Sequence, residues 1–145
     1  MNASNNVSGA APPILFLLNP GFTVQGSGPF FCPECALIEG LLSYYPQLAR
    51  ELDVQRVDFV RPRLAVASLL GEANQACPAL VFHKTQAPAE ATAGDFDYAF
   101  IAGARSIIEH LTKRHAVSSA RTESIIALAE EYAQSAPSAG TACSI

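Results

Sequence analysis

Two cysteines stand three apart in the stretch 29–40, "PFFCPECALIEG", as Cys32 and Cys35. Such a pair can be a redox couple, half of a metal site, or two small core residues. Pro33 and the apolar run after it place Cys32 at the start of a helix. There a thiolate would meet unpaired backbone N–H groups and the positive end of the helix dipole. Helix-start dithiols of this kind have depressed thiol pKa values. Glu34 acts the other way, because its charge opposes thiolate formation. Glu39 follows Cys35 by four residues, shares its helix face, and could take up its proton during exchange. Cys77-Pro78 is a second piece, because an X-Pro bond can be cis at modest cost and this proline opens an apolar run.

Zinc usually takes four ligands from two such pairs, and the chain has one pair, so no metal is expected. Cys77 beside Cys32 could form a mixed disulfide or complete a three-thiolate site, but a small buried residue is the simpler reading. Arg61 and Arg63 could hold a substrate carboxylate, although solvent exposure is the default for such arginines. His83, His110 and His115 read as surface or strand-end residues, and Cys143 as a free thiol near the end of the chain.

These groups need elements to position them. With 145 residues, half of them hydrophobic and 15% charged, one domain can bury a core without disulfide staples. The net charge of −4 and scattered basic residues speak against a nucleic-acid binder. No apolar run approaches the roughly 20 residues of a membrane helix. The opening "MNASNNVSGAAPP" has neither a basic nor an apolar leader region, so the expected compartment is the cytoplasm. Close cysteine pairs in such a compartment are more often catalytic, redox-sensing or metal-binding than structural.

Along the chain, residues 1–13 read as a disordered tail. "ILFLL" (14–18) suits a strand buried on both faces, followed by a long loop through "TVQGSGPFF". From Cys32 the apolar period becomes helical, with Leu37, Ile38, Leu41, Leu42 and Tyr45 on one stripe, and Pro46 marks the end. A second strand is expected over 53–60 and a short helix over 62–72, with Pro62 in its first turn. A third strand over 77–82, a polar connection over 83–97 and a fourth strand over 98–103 come next. An amphipathic helix over 104–117 and a last helix over roughly 119–134 complete the domain, and 135–145 is a flexible tail.

Strand, C-P-x-C at a helix start, strand, helix, then a proline opening a β-hairpin resembles the thioredoxin superfamily. "CPEC" is similar to the glutaredoxin motif, and "FIAGARSIIEHL" resembles the last strand and final helix of the glutathione-transferase N-terminal domain. The stretches "LFLLNPGF" and "CPECALIEG" also resemble an uncharacterised bacterial family of thioredoxin-like proteins. The superfamily resemblance spans residues 14–117. It implies Cys32 as nucleophile, Cys35 as resolving thiol and Pro78 as a cis proline, with the backbone of Cys77 pairing with an extended substrate. It further implies that Ser106 corresponds to the serine holding the γ-glutamyl carboxylate of glutathione, the one cofactor it brings in. Arg105 stands where the transferase pattern has an acidic or amide residue, and Phe31 where thioredoxin has Trp.

The expected fold is α/β and thioredoxin-like: a mixed four-stranded sheet in the order β-α-β-α-β-β-α, with one extra C-terminal helix, over residues 14–134. The expected function is thiol–disulfide exchange through Cys32 and Cys35, with Cys77, Pro78 and Ser106 at the substrate. Partners would be protein or small-molecule thiols and disulfides, with no nucleic acid and no membrane. The alternatives are a non-catalytic binding or redox-sensing module and a glutathione-dependent transferase. Oligomeric state is not readable from the sequence.

Overall fold

The computed structural model describes residues 10–119 together with Glu130, Glu131 and Gln134. Most of the last helix expected over roughly 119–134, the tail over 135–145 with Cys143, and most of the N-terminal tail lie outside the described residues. Strand β1 (Ile14–Leu18) is an interior strand of the sheet. It runs parallel to β4 (Asp53–Val57), with Ile14 opposite Asp53 and Leu18 opposite Val57. On its other side it runs antiparallel to β5 (Ala79–His83), with Leu15 opposite Leu80. β5 pairs antiparallel with β7 (Tyr98–Ala102), and the two-residue β6 (Thr92–Ala93) closes that edge. The result is a mixed five-stranded sheet ordered β4-β1-β5-β7-β6, one strand more than the sequence suggested. The extra strand, β6, lies within the polar connection over 83–97.

The apolar run of β1 is buried on both faces: Leu15, Phe16, Leu17 and Leu18 are all among the core residues. Helix α1 (Pro33–Tyr44) follows and turns Ile38 and Leu42 into that core. Burying each such side chain contributes about 1.5–3 kcal/mol. Helix α3 (Leu64–Leu70) buries Val66 and Leu70, and α4 (Ala104–Arg114) buries Ile107, Ile108 and Leu111.

Three local expectations are corrected. The stretch after β1 is a hairpin, β2 (Phe22–Val24) and β3 (Ser27–Phe30), rather than a loop. Its two-residue turn uses Gln25 at φ 50° and Gly26 at φ 81°, the positive-φ pair that tight hairpins require. Phe22 on this hairpin stacks on Phe59 at 4.2 Å between ring centroids. Pro46 ends α1 but also begins α2 (Pro46–Glu51), because a missing N–H is harmless at a first helical position. Pro62 is not in the helix after it: the Arg61–Pro62 bond is cis, Arg63 is the N-cap, and α3 starts at Leu64.

Candidate functional site

The C-terminal end of β1 and the N-terminus of α1 build the site together. Cys32 is the N-cap of α1, with extended backbone, and its Sγ accepts the N–H of Cys35 at 3.2 Å. Ser, Thr, Asp or Asn oxygens usually fill this position, so here a sulfur supplies what an N-cap oxygen would. One turn on, the Sγ of Cys35 accepts the N–H of Leu18, the last residue of β1, at 3.4 Å. Both sulfurs are therefore held by backbone amides, and both residues are only 2% exposed. No disulfide links Cys32, Cys35 or Cys77.

Cys77 and Pro78 precede β5, and the bond between them is cis. Cys77 is buried, and its S–H points to the carbonyl of Gln75 at 4.0 Å. Burial pushes its pKa up to about 11, against the opposing fields of Arg63 and Arg61. Among the described residues, no backbone hydrogen bond uses the N–H or C=O of Cys77.

The residue that sequence reasoning misplaced is Arg63. Arg61 is exposed as expected, but Arg63 is buried. Its Nε and Nη2 donate to the carbonyl of Phe59 at 2.9 and 2.5 Å, and its Nη1 donates to the carbonyl of Gln75 at 2.7 Å. Its backbone N–H donates to the side-chain oxygen of the buried Gln75 at 2.5 Å. The guanidinium also lies 5.3 Å from the centre of the Phe59 ring. Burial lowers its pKa, while the nearby Cys77, Cys35 and Cys32 raise it. No sequence pattern carries this burial, because the carbonyls that bury Arg63 come from two segments joined only by the fold.

Other expected roles fall differently. Glu34 accepts the N–H of Ala104 at 2.9 Å, capping α4. Glu39 forms a two-point ion pair with Arg56 on β4, both contacts 2.7 Å, so it is not available to take a proton from Cys35. His110 is buried rather than on the surface, with Nδ1 3.1 Å from Glu90. Ser106 stands in the third position of α4 and lines a cleft of about 630 Å³ with Glu90, Glu109, His110 and Lys113. No cysteine lines that cleft. Arg105 pairs with Glu130 at 2.9 Å. The structure therefore gathers Cys32, Cys35, Cys77 and Pro78 at one end of the sheet, and the start of α4 is held at that same end by the Gly103 N–H on the Pro78 carbonyl at 3.2 Å, with Ser106 facing the cleft. Among the described residues, no three His, Cys, Asp or Glu side chains group to hold a metal ion.

Against models of known families, residues 12–119 match the one described as "Protein of unknown function (DUF3088)". The chain belongs to this family. The match takes in β1, the Cys32–Cys35 pair, Arg63, Cys77-Pro78 and α4, so the whole candidate site is part of the family domain. No curated protein and no solved structure matches the chain. Among the described residues, no helix is long and apolar enough to cross a membrane.

Proposed function

We propose that the chain is a thioredoxin-like thiol–disulfide oxidoreductase that uses Cys32 and Cys35 as a dithiol couple. The observation that carries this reading is the Cys32 sulfur seated as the N-cap acceptor of α1, with Cys35 one turn behind it. The strand order β4-β1-β5-β7, with α1 leaving β1 and a cis proline ahead of β5, supports the thioredoxin-like assignment. The unpaired backbone of Cys77 supports an extended substrate segment docking there.

In the forward reaction the Cys32 thiolate attacks one sulfur of a substrate disulfide. The substrate S–S bond breaks, one substrate thiolate leaves and takes a proton from water, and a mixed disulfide forms. Cys35 gives up its proton and attacks the Cys32 sulfur, releasing the second substrate thiolate. Two electrons pass to the substrate, and Cys32 and Cys35 end as a disulfide. Because both thiols are 2% exposed, the substrate reaches Cys32 only as the covering segments move outward.

The test is a redox titration in dithiol/disulfide buffers, with alkylation and peptide mapping. A single two-electron couple between Cys32 and Cys35, at a potential of about −120 to −270 mV, is the expected result. Cys35→Ser should then trap the mixed disulfide on Cys32. If both cysteines stay reduced across the titration, the oxidoreductase reading is wrong. The near-complete burial of the pair favours, as a second reading, a binding module whose partner affinity follows its redox state. The glutathione reading is disfavoured, since the α4 start that would take a γ-glutamyl carboxylate already receives Glu34.

A further inference from the structure

The edge of β7 that faces β6 is only partly covered. Toward β5 the bonding groups come from one alternate set of residues: the Gly103 N–H meets the Pro78 carbonyl at 3.2 Å, and the Asp97 carbonyl meets the Lys84 N–H at 2.8 Å. In an antiparallel ladder the residues between them turn their N–H and C=O groups to the opposite edge. Tyr98 does so, its carbonyl accepting the N–H of Gly94 at 2.9 Å, and Phe100 stands opposite Thr92. Ala102 is the next of this set, and β6 has no residue opposite it. Continuing the register would bring Glu90 there, but the chain turns away. The Ala91 N–H goes to the Pro88 carbonyl at 3.0 Å, and the Glu90 carboxylate lies 3.1 Å from Nδ1 of His110. Ala102 is exposed, and among the described residues neither its N–H nor its C=O meets a main-chain partner on this edge.

This open edge borders the cleft of about 630 Å³. Pockets that hold small ligands span about 300–1,000 Å³. Thr92 bounds the cleft where β6 begins, and α4 forms its wall with Ser106, Glu109 and Lys113, all exposed. Among the described residues the hydroxyls of Ser106 and Thr92 make no hydrogen bond, and Glu109 and Lys113 make no ion pair. One main-chain donor and one main-chain acceptor thus lie in the plane of the sheet, beside a wall of unengaged polar side chains. An extended peptide matches both: its backbone completes the ladder, and its side chains reach the wall.

We propose that the β7 edge at Ala102 is a strand-addition site, which takes an extended peptide segment with polar side chains in line with β6. The site needs no thiol, so the proposal goes beyond the dithiol reading and stands or falls apart from it.

The experiment uses the full chain and pools of end-blocked tetrapeptides without cysteine, one pool of polar and one of apolar residues. Exchange of the Ala102 amide with water is followed by NMR. In the free protein this amide should exchange as an exposed one, and an amide already protected there overturns the proposal. The polar pool at millimolar concentration should slow that exchange severalfold. No slowing by the polar pool, or slowing by the apolar pool alone, overturns the proposal. Ala102→Pro removes the outward N–H at an edge position where proline is tolerated. It should weaken the selected peptides about tenfold, the loss of one of two main-chain hydrogen bonds. A folded variant that binds them as wild type does overturns the proposal. Should it not fold, the wild-type Ala102 amide decides alone.

Discussion

Cys77 gives the sharpest quantitative expectation. Burial raises its thiol from the usual 9.0 to about 11. An unfolded chain releases this proton near pH 9, whereas the folded protein keeps it until about pH 11. Below pH 9 the advantage of the buried neutral thiol is fully present, and it is lost as pH rises through 11. At 1.36 kcal/mol per unit, two units are worth up to about 2.7 kcal/mol of stability. Cys77 is 2% exposed, so solvent screening does little to reduce this figure. The perturbation is Cys77→Ala, compared with wild type by urea unfolding at half-unit steps from pH 8 to 11. Near pH 8 the variant should be less stable by about 1 kcal/mol, for the lost sulfur contacts. By pH 11 the wild type should have lost about 2–3 kcal/mol more than the variant, reversing their order. Lysines and tyrosines titrate alike in both proteins and cancel in the difference. Parallel curves over the whole range would refute the argument that Cys77 is a desolvated, protonated thiol.

Other expectations follow from single contacts. Glu34→Ala removes the carboxylate that caps α4 at Ala104 and should cost about 1 kcal/mol in urea unfolding; an unchanged midpoint would mean the contact contributes nothing. Gly71 has φ +97°, and a Cβ there would run into the Asp95 carboxylate, so Gly71→Ala should cost about 1–3 kcal/mol, and a neutral result would refute the clash. The Glu90 carboxylate is held below its usual range, first by its own backbone N–H and then by His110. Its tether to α4 is therefore present at neutral pH and lost as pH falls through the lowered value. Corrected for the intrinsic rate, protection of the 88–94 amides should fall in acid in wild type but not in Glu90→Gln, and the same pH dependence in both would argue against the tether.

The sequence made some of this legible because local rules and the fold agree. The run Ile14–Leu18 is apolar at every position, which only a central strand tolerates. Cys32-Pro33 marks a helix start by the same physics that makes proline harmless there. Cys77-Pro78 ahead of an apolar run marked the opening of β5. The hairpin Phe22–Phe30 was hidden because Gly28 and Pro29 are poor strand residues, while its turn rests on the Gln25-Gly26 pair alone. Helix α2 was hidden because the proline that ends one helix also begins the next. The burial of Arg63 was invisible for a different reason. An arginine between a strand and a helix belongs in water unless carbonyls from elsewhere replace it, and those of Phe59 and Gln75 meet only in the folded chain.

The same two carbonyls make one mechanical unit of two segments. Arg63 ties residue 59 to residue 75 through side chain and backbone alike, so neither segment can lift without breaking bonds to the other. Lifting them is then a single cooperative event with its own free energy, and every 1.4 kcal/mol of that free energy lowers the open population tenfold. Amides on both segments should exchange hydrogen at a common rate.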